Sequence, residues 1–111
     1  MGDPRLTAHI QVGALRRMAE GAGGFAMVVK KGDETSGQIL CILLEKGDNA
    51  VLFARQMAAD FTYQWDEVAL KNDDSIAEYC ARARSSDPDL WIIELDVAET
   101  APLIAALSSI G

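Results

Sequence analysis

Six apolar residues in unbroken succession, Ile39-Leu40-Cys41-Ile42-Leu43-Leu44, constrain this chain more than any other feature. A membrane span needs about 20 apolar residues, so this run has the length of a strand and not of a span. Successive side chains of a strand point to opposite faces. A strand without a polar position therefore has two apolar faces, and both must be covered. The cover must come from helices of the same chain or from a second protomer.

The surrounding pattern supplies those helices. Leu6 to Ala19 reads as an amphipathic helix, with Leu6, Ile10, Ala14, Leu15, Met18 and Ala22 on one apolar arc and His9, Gly13, Arg16 and Glu20 opposite, Arg17 at the border. Gly21-Ala22-Gly23-Gly24 ends it, because glycine adopts the left-handed conformation on which helices stop. A strand is expected over Phe25–Lys31, a second over Gly37–Glu45, a turn at Lys46–Asn49 and a third strand over Ala50–Arg55. Phe61 to Val68 alternates, with Phe61, Tyr63 and Trp65 on the inner face. Asn72-Asp73-Asp74 is a polar break, and Ser75-Ile76-Ala77-Glu78 is a capping box opening a helix that turns Ile76, Tyr79, Cys80 and Ala83 inward. Pro88 stops that helix, since the residue before proline avoids helical angles. Leu90–Val97 is the last strand and Thr100–Ile110 a C-terminal helix, with Pro102 tolerated in its first turn. The expected order is α-β-β-β-β-α-β-α. This is a single α+β domain over residues 1–111, with a four- or five-stranded, mainly antiparallel meander and two or three packed helices.

Length and charge narrow the function classes. A chain of 111 residues is one domain. The net charge is −7, and residues 60–111 hold 3 basic against 11 acidic side chains. Such a surface repels phosphate backbones, so no nucleic-acid partner is expected, and no membrane partner either. The opening Met1-Gly2-Asp3-Pro4-Arg5 lacks the apolar core of an export signal. Cys41 and Cys80 lie far apart on apolar runs, and both read as small buried hydrophobes in a cytoplasmic protein.

Motifs for chemistry are sparse. His9 is the one histidine, on the polar side of the first helix with no ligand at metal spacing, so neither metal nor cofactor is expected. It also leaves a nucleophile without an adjacent base, and no GxSxG elbow occurs. Asp73-Asp74 and Asp87/Asp89 have the chemistry to hold a hard cation, but capping and turn roles explain them more simply. Gly21-Ala22-Gly23-Gly24 follows a helix and opens a strand, the reverse of a dinucleotide loop. Arg16-Arg17 is the sharper signal. Adjacent arginines differ by about 100° on a helix, so one lies at the apolar border, where a guanidinium can pin a carboxylate. With Arg82, Arg84, Asp87 and Asp89 they form either a structural ion-pair cluster, in which Arg17 pairs with the Asp87–Asp89 segment, or a site for an anion or a partner. Trp91, between Leu90 and Ile92, reads as core.

Three segments together resemble a known family: Leu15-Arg16-Arg17, Lys30-Lys31-Gly32-Asp33 followed by Ser36-Gly37, and above all Asp87-Pro88-Asp89-Leu90-Trp91-Ile92-Ile93-Glu94-Leu95. They are similar to domain of unknown function family 1491, found chiefly in alphaproteobacteria, and the resemblance covers roughly residues 5–97. The family's pattern has arginines where Lys30-Lys31 stand here, and usually a shorter C-terminus. The resemblance implies a fold and a compartment and carries no activity. The expectation for function is a non-enzymatic interaction module that self-associates as a homodimer, with room for a further protein partner. The alternative is a small enzyme or anionic-ligand-binding protein with a site around Arg16, Arg17, Asp87 and Asp89. Trp91, Pro88, Ser75 and Glu78 are expected to be structural.

Overall fold

A computed structural model describes residues 7–110 apart from positions 36, 58, 61 and 71–74. The expectations for Leu6, Phe61 and Asn72-Asp73-Asp74 therefore lie outside the described residues. The elements are α1 (Ala8–Gly21), β1 (Phe25–Lys30), β2 (Ile39–Glu45), β3 (Asp48–Met57), β4 (Tyr63–Glu67), α2 (Ile76–Ser86), β5 (Trp91–Val97) and α3 (Ala101–Ile110). This is the order expected from the sequence.

The five strands form one sheet in the order β1-β5-β2-β3-β4. The meander holds for β2, β3 and β4, which pair antiparallel in sequence order. It does not extend to β1. The last strand, β5, inserts between β1 and β2, antiparallel to the first and parallel to the second. Insertion gives β2 and β5, the two most buried strands, interior positions and leaves β1 and β4 at the edges. The hairpin loop Lys46-Gly47 is tied to the end of β5: Lys46 N donates to Val97 O at 2.9 Å and Gly47 N to Asp96 Oδ1 at 3.0 Å.

Both faces of β2 are covered, as its sequence demands. Ile39, Cys41 and Leu43 point to a core closed by α1 and α3, which includes Val12, Leu15, Phe53, Trp91, Ile93, Leu95, Leu103 and Leu107. Leu40 and Ile42 point to a second core with Leu52, Ala54, Leu90, Ile92 and Cys80, roofed by α2. The apolar arc of α1 differs from expectation. The buried positions are Ala8, Gln11, Val12, Leu15 and Ala19, while Ile10 is 42 % exposed. Two alanines at the contact let the helix backbone lie close to the sheet, and close packing outweighs the greater hydrophobicity of Ile10.

The local signals of α2 are realised atom by atom. Ser75 Oγ accepts from Glu78 N at 3.0 Å and Glu78 Oε1 accepts from Ser75 N at 3.1 Å. Two first-turn amides without helical partners are thereby satisfied.

Candidate functional site

Two of the segments that carry the family resemblance, Lys30–Asp33 and Asp87–Trp91, meet at one end of β5. Lys30 Nζ donates to the carbonyl oxygens of Pro88 and Leu90, both at 2.8 Å. Trp91 Nε1 donates to Asp33 O at 2.6 Å, and Asp33 N donates to Asp89 O at 3.1 Å. Asp87 Oδ1 accepts from Asp89 N at 3.0 Å, which folds the turn after α2. Gly32 and Gly37 allow the loop to close on this turn. A Cβ on Gly32 would stand 2.2 Å from Asp89 O, and one on Gly37, whose φ is +131°, 2.5 Å from the same oxygen. The same loop reaches α1: Ala8 N and His9 N donate to Thr35 O and Glu34 O at 3.3 and 2.9 Å, capping a helix whose Thr7 side chain makes no cap bond. The signature is thus a backbone clamp joining α1, β1, α2 and β5. Pro88, Asp87, Asp89 and Trp91 are parts of it.

A groove opens beside the clamp, between α1 and β1. Its volume is about 440 Å³, and it is lined by His9, Ile10, Val12, Gly13, Arg16, Arg17, Val28, Lys31 and Trp91. The structure brings Arg16 and Arg17 together there and leaves Asp87 and Asp89 in the clamp behind it. Arg17 forms no ion pair with either aspartate; Lys31 and Glu34 make a 3.9 Å contact with both side chains about two-thirds exposed. The expected cluster fails because the arginines point into the groove, whereas the aspartates serve the α2–β5 turn.

The opposite face of the sheet carries a second feature. Phe25, Met27 and Val29 on edge strand β1 are 61, 52 and 43 % exposed and share one face. Beside them lies a groove of about 400 Å³ along α2, lined by Val29, Ile42, Leu44, Ala50, Ile76, Ala77, Cys80, Ala81, Arg84, Ile92 and Glu94. One helix roofs this face where two close the other, so the β1 end stays open.

One buried residue, Arg55, was not singled out in the sequence. Arg55 is 1 % exposed, and its guanidinium carbon lies 3.7 Å from the centre of the Tyr63 ring. Burial pulls its pKa down, opposed by Tyr63. The period of two that turns Val51 and Phe53 inward carries the signal, since it places Arg55 on the same face. Cys41 is buried, and desolvation pushes its pKa from 9.0 to about 12; burial also raises that of Cys80, opposed by Arg84. Among the described residues, no three His, Cys, Asp or Glu side chains are grouped to hold a metal, and no helix is long and apolar enough to cross a membrane.

Residues 6–105 match the family described as protein of unknown function DUF1491. A crystal structure of a DUF1491 family protein from Caulobacter crescentus is 31 % identical and superposes with a TM-score of 0.74, over 85 % of this chain and 90 % of that one. The NMR structure of a DUF1491 family protein from the same organism gives 31 % and 0.75, over 87 and 90 %. Protein Atu0922 from A. tumefaciens is 29 % identical with a TM-score of 0.72, over 86 and 88 %. No curated protein matches the chain.

Proposed function

We propose that the chain, which belongs to the DUF1491 family, is a non-enzymatic interaction module that self-associates through the α2-side face of its sheet. The observation that carries this reading is the exposed row Phe25, Met27 and Val29 on edge strand β1. Contiguous apolar surface beside a groove marks a surface that another macromolecule covers. A second copy is the occupant. Among the described residues the outer edge of β1 has no partner strand, and twofold antiparallel pairing of two such strands joins the sheets and brings the two apolar rows together. A twofold interface sets one patch against itself, so charges within it match where both signs are present. Arg84 and Glu94, which line the same groove, supply them. Lys30, the charge nearest this edge, is drawn inward to the clamp carbonyls and leaves the edge open.

The reading includes a reducing, cytoplasmic compartment. It is supported by two free thiols held on opposite sides of the sheet, where they are unable to pair in the folded chain.

Light scattering across a dilution series tests the proposal. The expected result is a dimer that dissociates on dilution and a Phe25→Asp variant that is monomeric throughout with an unchanged far-ultraviolet spectrum. A wild-type chain that is monomeric at every concentration contradicts the reading.

A further inference from the structure

The α1–β1 groove has a chemistry of its own, on the face of the sheet away from the proposed dimer surface. Among the described residues its ionisable lining is His9, Arg16, Arg17 and Lys31, without a carboxylate, in a chain whose net charge is −7. Gathering cations in one groove is unfavourable unless an anion offsets them. The carboxylates expected to do so, Asp87 and Asp89, are held in the clamp. Lys31 makes an exposed 3.9 Å contact with Glu34, a pair that contributes little and exchanges readily.

The helix is shaped for the same purpose. His9, Gly13 and Arg16-Arg17 are spaced about one turn apart and line the groove as one stripe. Position 13 lacks a side chain, and Arg17 Nη1 lies 3.4 Å from where a Cβ would stand. The guanidinium is thus folded back along the helix into the space that Gly13 leaves. Ile10, Val12, Val28 and Trp91 supply apolar wall beside these heads, and Ile10 is exposed where a core helix would bury it. A cavity of about 440 Å³ falls in the range of small-molecule sites, roughly 300–1,000 Å³.

We propose that this groove binds a small organic anion, its phosphate or carboxylate head held by Arg16, Arg17 and Lys31 and its apolar body lying against Ile10, Val28 and Trp91. The acidic remainder of the surface selects a small anion over a polyanion, whose further charges it repels. The proposal is independent of self-association, because none of the groove residues lies on the α2-side face.

The test is a proton–nitrogen NMR titration of the full chain with phenyl phosphate and with benzoate, which tell the two heads apart, and with phenol and inorganic phosphate as partial probes. The expected result is that one of the two organic anions shifts the amides of residues 9–17 and 28–31 and the Trp91 indole, and binds more tightly than phenol or inorganic phosphate. The Arg16→Ala/Arg17→Ala double variant, which changes two exposed side chains, should keep its fold and lose at least about tenfold in affinity. The proposal is overturned if neither anion shifts these signals up to about 10 mM, or if phenol or inorganic phosphate binds as tightly as they do. Equal binding by the folded double variant also overturns it.

Discussion

The two faces of the sheet are covered unequally. Two helices, α1 and α3, close one face, and Leu15, Ile39, Cys41, Leu43, Ile93 and Leu95 beneath them have no measurable exposure. The other face has α2 alone. Under it Leu40, Leu52 and Ile92 are buried in a core of their own, yet on edge strand β1 Phe25 is 61 % exposed. The strands that make the two faces are the same strands. What differs is the length of helix available. The doubly roofed face is closed, and the singly roofed face keeps exposed apolar surface at β1, the surface proposed above for self-association.

Substitutions that test this comparison rank by how much buried structure each removes. Trp91→Ala removes a buried ring from the closed core and the indole donor to Asp33 O, and should cost about 3–5 kcal/mol in a urea titration. An unchanged midpoint would contradict the core role. Lys30→Met keeps the apolar stem and removes the ammonium that serves two carbonyls, for a loss of about 1–3 kcal/mol. Lys30→Arg should restore most of it, because a guanidinium reaches two acceptors as well. Ser75→Ala deletes the cap of α2 and should cost about 1 kcal/mol, read from thermal melts.

The thiols compare the faces without a change in stability. At pH 8 Cys80, which lines the half-open groove, should react with a disulfide reagent well before Cys41, whose pKa of about 12 leaves almost no thiolate. Equal rates would mean that the closed face opens as readily as the other. The Cys41 shift also fixes a pH dependence. The unfolded thiol ionises near 9.0 while the folded one keeps its proton. The stability linked to Cys41 is therefore fully present below pH 9 and is lost as the pH rises toward 12.

Much of this was legible locally. The capping box at Ser75 and Glu78, the stop at Pro88 and the alternation of Tyr63 and Trp65 depend on neighbours within a few residues, and the structure follows them. The two-sided strand Ile39–Leu44 foretold a layer on each side of the sheet. What failed was long-range. Nothing in the order of strands says that β5 enters between β1 and β2, a pairing that joins residues more than fifty positions apart. The same distance hid the fate of the candidate site. Arg16 and Arg17 meet Lys31 in one groove, whereas Asp87 and Asp89 are taken up by the turn that Lys30, Asp33 and Trp91 hold. The motif that identified the family proved to be the clamp that positions the groove, which is why it was visible as sequence and silent as chemistry.

Hydrogen exchange at two protein concentrations decides whether the open face is an interface between copies of the chain. The β1 amides that do not bond to β5 should exchange quickly in dilute protein and be protected in concentrated protein, and Met27→Asp should abolish that gain. The amides of α1 should exchange alike at both concentrations. Exchange from β1 that is independent of concentration would contradict the account.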